Sequence, residues 1–144
     1  MCIRDSGYPF HTVRWHFHPE IEIHYVAATT GRYYVGDFIG EFEPGNLVMT
    51  GPNLPHNWIS HVAPGEVVPL RSRVVQFPEA LLVGIGDIFP DISDFNRLFD
   101  VSRRGALFSD ACSRRCGPII AELCSAKGPT RASLFIDLLA QLAS

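Results

Sequence analysis

The sequence predicts an all-β barrel or sandwich in its first half and α-helices in its second. Three observations carry that prediction. Short strand-like runs alternate with turn signals as far as Phe77, a pattern of all-β rather than α/β folds. After Pro78 the apolar period changes from two to the three-to-four spacing of a helix. A length of 144 residues with 47% apolar content suits one folded domain with a real core.

Taken in order, Met1 to Ser6 lacks the apolar centre of a signal peptide and shows no packing logic. It resembles the leader that arises when sequencing adaptor is translated, so residues 1–9 are set aside as a leader or arm without structural weight. The segment from Trp15 to Tyr25 reads as a strand, on which successive side chains point to opposite faces. His16, His18, Glu20, Glu22 and His24 share one face, and Trp15, Phe17, Ile21, Ile23 and Tyr25 share the other. One face can bury while the other binds. Arg32 to Val35 and Phe38 to Glu43 form a hairpin about the Gly36-Asp37 turn. Pro44-Gly45-Asn46 ends it, and Leu47 to Thr50, Pro55 to Ser60 and Pro69 to Phe77 complete roughly seven strands.

In the helical half, Ile92, Phe95, Leu98 and Phe99 place one amphipathic helix over Asp91 to Val101, with Pro90 in its first turn. Gly105 to Phe108 reads as a short extended link, and Asp110 as the N-cap of a helix carrying Cys112, Cys116, Ile119, Ile120 and Leu123. Gly117-Pro118 predicts a kink or break near Cys116. A last helix opens at Pro129 and puts Leu134, Phe135, Leu138, Leu139 and Leu142 on one face.

Twelve basic and fifteen acidic residues give a net charge of -3, which offers no footprint for nucleic acid. Three of the four cysteines lie in one C-terminal stretch, which is not a secreted disulfide framework, so a reducing, cytoplasmic compartment is expected. The stripe that Cys112 and Cys116 share with isoleucine and leucine reads as core packing, since zinc sites favour loop-borne pairs with closer spacing. No apolar run approaches the roughly 20 residues of a membrane span. The pairs Arg103-Arg104 and Arg114-Arg115 read as solvated helix faces.

The spacing His16-x-His18-x3-Glu22 resembles the first cupin motif. The stretch from Tyr33-Tyr34-Val35-Gly36-Asp37 through Phe42-Glu43-Pro44-Gly45-Asn46-Leu47-Val48 to Gly51-Pro52-Asn53-Leu54-Pro55-His56-Asn57-Trp58 is similar to the N-terminal sensor domain of AraC-type transcriptional regulators. The likeness extends over about Phe10 to Ser144, although the usual cupin glycine spacing around His16 is not met. It implies a mainly β, cupin-like (jelly-roll) barrel over residues 10–78 that senses a small molecule, followed by C-terminal α-helices over 79–144 that form a dimer. It also implies a helix-turn-helix module in the same polypeptide, which is not in this chain and through which alone DNA would be bound.

The polar strand face supplies the site candidates. Neutral imidazole and carboxylate suit a divalent ion, and His16, His18, Glu22 and His56 are a workable shell. The competing reading puts those histidines at a solvated surface, with the apolar face inside the barrel. For an organic effector, a sugar or small organic acid, Arg32, Tyr34 and Trp58 join the same set. Arg32 would clamp an anion with two parallel hydrogen bonds, and Trp58 would offer a flat apolar face. Arg71 and Arg73 read as rim residues. Because both C-terminal stripes exceed what one small barrel covers, a homodimer is expected through Leu134, Leu138 and Leu142. The function expected is effector sensing without catalysis. A small cupin metalloenzyme, a dioxygenase or isomerase, is the alternative, and a binding cupin with no regulatory role a third.

Overall fold

The computed structural model describes residues 1–9 and 18–144. Its strands are β1 (Cys2–Tyr8), β2 (Ile21–Val26), β3 (Gly31–Val35), β4 (Phe38–Phe42), β5 (Leu47–Thr50), β6 (His56–Ser60) and β7 (Val68–Phe77). The helices α1 (Glu79–Ile88) and α2 (Phe95–Ser102) follow, then a two-residue strand β8 (Ala106–Leu107), then α3 (Asp110–Leu123) and α4 (Gly128–Ala143). All pairings are antiparallel, in a five-stranded sheet of order β1-β7-β2-β5-β8 and a three-stranded sheet of order β4-β3-β6. The two sheets face each other as a jelly-roll-like barrel, with the helices on the outer face of the larger sheet. The expected mainly β barrel with C-terminal helices is what forms.

Alternation along the larger sheet divides the apolar residues between two cores. Ile21, Ile23, Leu47, Met49, Val75 and Phe77 point outward to the helices, where they meet Leu98, Cys116, Ile120, Leu138 and Leu139. Val26 and Val48 point inward to Tyr33, Val35, Phe42 and Trp58 of the smaller sheet. The apolar face of β2 therefore covers the helices, and its polar face forms the barrel interior. This corrects both the solvated-histidine reading and the idea that only one face buries, because Ile21, Glu22, Ile23 and His24 are all buried.

Several elements differ from expectation. Residues 2–8 are not a weightless leader: β1 pairs with β7 from Cys2↔Gln76 to Tyr8↔Val68, covering an otherwise open edge. The polar strand does not run unbroken from Trp15, since His18, Pro19 and Glu20 precede β2 in a bend. Proline there denies the ladder a donor. The helix expected over Asp91 to Val101 resolves into a 3-10 turn at Pro90–Ile92 and α2, with Phe95, Leu98 and Phe99 still buried. Helix α1 is not among the expected helices, because Gly84 and Gly86 dilute its apolar pattern.

Ser109, not Asp110, caps α3: its Oγ accepts the Cys112 N–H at 3.2 Å. Asp110 is instead the first residue of the helix, where its charge favours the helix dipole. Helix α3 continues through Pro118 without a break. Pro118 is exposed while Cys116 and Ile120 have no exposed surface, so packing on the buried side holds what the lost hydrogen bond loosens. A Cβ on Gly117 would lie 3.0 Å from the Tyr25 hydroxyl, so glycine lets the helix approach the sheet.

The proposed dimer row is also corrected. Leu138 is 0% and Leu142 5% exposed inside this single chain, and Leu134 is half-buried against the same cluster. With α1 and α2 present, α3 and α4 bury their stripes on one another and on the sheet. Cys112 and Cys116 pack in this core as expected, their sulfurs 3.8 Å apart, and burial first, then Cys112, pushes the Cys116 thiol up to about 12.

Candidate functional site

The inner face of the larger sheet sets three polar groups in one row, because Glu22 on β2 pairs with Thr50 on β5 and Gln76 on β7. Opposite them β6 brings His56, which is 1% exposed, and the bend before β2 brings His18. One carboxylate oxygen, Glu22 Oε2, gathers the cluster: His18 Nε2 lies at 2.8 Å, Gln76 Nε2 at 3.0 Å and His56 Nε2 at 3.3 Å. The two imidazoles meet edge to face with centroids 4.9 Å apart. The expected convergence of His18, Glu22 and His56 is thus present, while His16 lies outside the described residues.

Hydrogen bonds fix the ring orientations. His56 Nδ1 donates to the Leu54 carbonyl at 2.6 Å, and His18 Nδ1 to the Glu20 carbonyl at 3.1 Å. Each neutral ring carries one N–H, so with that proton on Nδ1 both Nε2 lone pairs would face a carboxylate oxygen. A proton or another cation must lie between them. Burial alone would raise the Glu22 carboxyl, but the hydrogen bonds from His18 and His56, together with the charge of the neighbouring imidazoles, hold it well below its usual range. The same bond to Glu22 raises His18 against the opposing effect of burial.

Next along the interior, His24 stacks on Trp58 at 3.8 Å and Tyr33 on Trp58 at 5.6 Å. Trp58 Nε1 donates to Asn46 Oδ1 at 3.1 Å, which fixes the indole. Burial pushes His24 down to about 3, with the Glu22 charge only partly opposing, so its ring is neutral. Beyond the stack, Arg71 is buried: Nη1 donates to the Trp58 carbonyl at 3.0 Å and Ser60 Oγ at 3.1 Å, with the Tyr8 ring 4.9 Å away. It is therefore not the rim residue expected, whereas Arg73 pairs with Asp5 at 3.2 Å nearer the surface. Among the described residues, Thr50 Oγ1, His24 Nδ1 and Ser72 Oγ are buried without a hydrogen-bond partner.

Trp58 lines this interior, but Arg32 and Tyr34 do not share it. On β3 it is Gly31, Tyr33 and Val35 that are buried inward, leaving Arg32 exposed and Tyr34 half-buried on the opposite face. Tyr33 takes the position assigned to its neighbour. Gln76, Thr50 and Asn46 are not legible as site residues in the sequence, because only the strand register and packing show that they flank Glu22 and Trp58. The interior offers a carboxylate, two imidazoles and a carboxamide at one end and a flat aromatic stack beside them.

A family model described as AraC-like ligand binding domain matches residues 1–143. The chain belongs to that family. No curated protein matches this AraC-like ligand-binding domain. Membership makes the domain a regulatory, effector-binding unit with a cupin-like barrel. No helix among its described residues is long and apolar enough to cross a membrane.

The cluster also suits a divalent ion. His18, Glu22 and His56 each present one ligand atom, all within 4.8 Å of one another. Two imidazole nitrogens and one carboxylate oxygen are a usual set for Zn, Fe, Mn or Ni, and Nδ1–H donated to a backbone carbonyl is the usual outer support of a ligating histidine.

Proposed function

We propose that this domain is the effector sensor of a cytoplasmic transcription regulator, and that its effector is a sugar or small hydroxy acid held in the barrel beside Glu22. The observation that carries this is Thr50. Its hydroxyl is buried next to Glu22 and has no partner among the described residues, a cost of about 1–3 kcal/mol. A ligand hydroxyl would supply that partner, with Gln76 and the charged Glu22 fixing its neighbours and Trp58 giving the ring a flat wall. Occupancy then favours one arrangement of a homodimer, which a DNA-binding module in the same polypeptide reports. The homodimer in this reading forms through surfaces other than Leu138 and Leu142, which lie inside the chain's own core.

Thermal-shift screening of sugars and hydroxy acids, followed by calorimetry on Thr50→Val, tests the assignment. The variant should keep or gain stability, because it removes an unpartnered hydroxyl without changing shape, yet bind the effector at least tenfold more weakly. Equal affinity in Thr50→Val and Glu22→Gln would place the effector elsewhere.

The histidine tautomers favour a second reading, in which the cation between His18, His56 and Glu22 is a divalent metal. Such an ion would offer the effector's oxygen a Lewis-acidic contact, while His18 and His56 hold its position through their bonds to the Glu20 and Leu54 carbonyls. Elemental analysis after purification without chelator, beside a His56→Gln variant, tests it. Stoichiometric metal lost in the variant supports the reading, and metal absent from both removes it.

A further inference from the structure

We propose a second ligand site, at the open edge of the barrel, for a small apolar monocarboxylate. The sheets do not close between the β3–β4 hairpin and the β5–β8 edge, which leaves a cleft of about 210 Å³. Its walls are Tyr33, Val35, Phe38, Val48 and Leu107, and Arg104 stands at the lip. Phe38 and Leu107 are 52% and 61% exposed, so two large apolar side chains flank the opening rather than cover it. An apolar cavity of about 150 Å³ takes a benzene-sized molecule, so this one accommodates a single substituted ring.

Charge selects the head group. Among the described residues, Arg104 is the one ionisable side chain lining the cleft besides the Tyr33 phenol and has no ion-pair partner, whereas its neighbour Arg103 reaches Glu79 and Asp100. The groove on the far side of Leu107 carries Glu41, Glu43 and Asp110, so an anion is steered to the Arg104 side. The guanidinium can hold a carboxylate with two parallel bonds. Gly105, at φ +83°, keeps Arg104 at this turn, since a Cβ there would lie 2.6 Å from Val35 Cγ1. A sugar does not fit the same place, because the walls supply almost no donors or acceptors. The site is separate from the Glu22 cluster: Tyr33 forms the cleft wall at one end of the aromatic stack, and His24, two residues along β2 from Glu22, forms the other end.

The test is calorimetry with cyclohexanecarboxylate and its neutral analogue cyclohexanemethanol on the whole chain. Ligands this small bind at about millimolar strength. The acid should bind saturably and more tightly than the alcohol. Arg104→Gln, at an exposed position, should weaken the acid about five- to tenfold and leave the alcohol unchanged, while Leu107→Trp should fill the cleft and abolish both. Absence of saturable binding, an acid affinity unaffected by Arg104→Gln, or equal weakening of acid and alcohol would each overturn the site. Unchanged acid binding in Thr50→Val keeps the result distinct from the fate of the interior effector site.

Discussion

Leu138 has no exposed surface and belongs to the core that α3 and α4 share with the larger sheet. Leu138→Ala should therefore cost about 2–5 kcal/mol of stability, and Leu138→Asp should unfold the domain instead of merely separating two copies. Urea titration with circular dichroism checks both. Its i, i+4, i+8 spacing with Leu134 and Leu142 was legible in the sequence, but periodicity reports that a face is buried without naming what covers it. Glu22 is the converse case: residue type and spacing marked it and its two histidines, while the register that adds Thr50 and Gln76 was not visible. In Glu22→Gln, a neutral amide replaces the carboxylate whose hydrogen bond and charge raise His18. Its titration midpoint, followed by NMR, should lie above 6.5 in the parent and fall in the variant.

Helix α3 places two substitutions of opposite sign side by side. Pro118→Ala restores a backbone donor at an exposed position and should stabilise the domain by about 1–3 kcal/mol. Gly117→Ala puts a Cβ within 3.0 Å of the Tyr25 hydroxyl and should destabilise it, despite the better helix propensity of alanine. Thermal unfolding of the two variants separates packing from propensity. The proline's local cost is visible in the sequence, but the sheet that holds the helix in place is not. The same limit applies to β1, whose mixed composition carries no strand period. Removing residues 1–8 should expose the β7 edge and the Tyr8 side of Arg71, lowering the unfolding temperature and promoting aggregation. The β3–β4 hairpin and β5 were readable because turn residues and short apolar runs define them locally.

The whole domain should be acid-sensitive, and the sign follows from its buried groups. His24 titrates at about 3 when folded against an ordinary 6.5, so between those values only the unfolded chain takes up its proton, and stability falls as pH drops. Glu22, held well below 4.5, adds a loss in the same direction at lower pH. His18, raised above 6.5, contributes fully in acid and fades only as pH rises through its folded value. At about 1.4 kcal/mol per pH unit and proton, His24 alone should make metal-free protein about 2 kcal/mol less stable at pH 5 than at neutrality, with His18 offsetting part of that loss. His24→Phe keeps the ring stack and should flatten that dependence, which urea midpoints across pH will show.

The larger sheet separates the barrel interior from the helices as a diaphragm one side chain thick on each face. Glu22 and His24 face the barrel interior, while Ile21 and Ile23 of the same strand touch the helical core. On β5, Val48 and Thr50 alternate with Leu47 and Met49 in the same way, and β8 ties the chain between α2 and α3 to this strand by Val48↔Leu107 and Met49↔Ala106. Close-packed cores have no slack to absorb a displaced strand. A molecule that presses on Thr50 from inside must therefore move Met49 against the helices, and amide exchange in α3 and α4 should change when a ligand occupies the barrel.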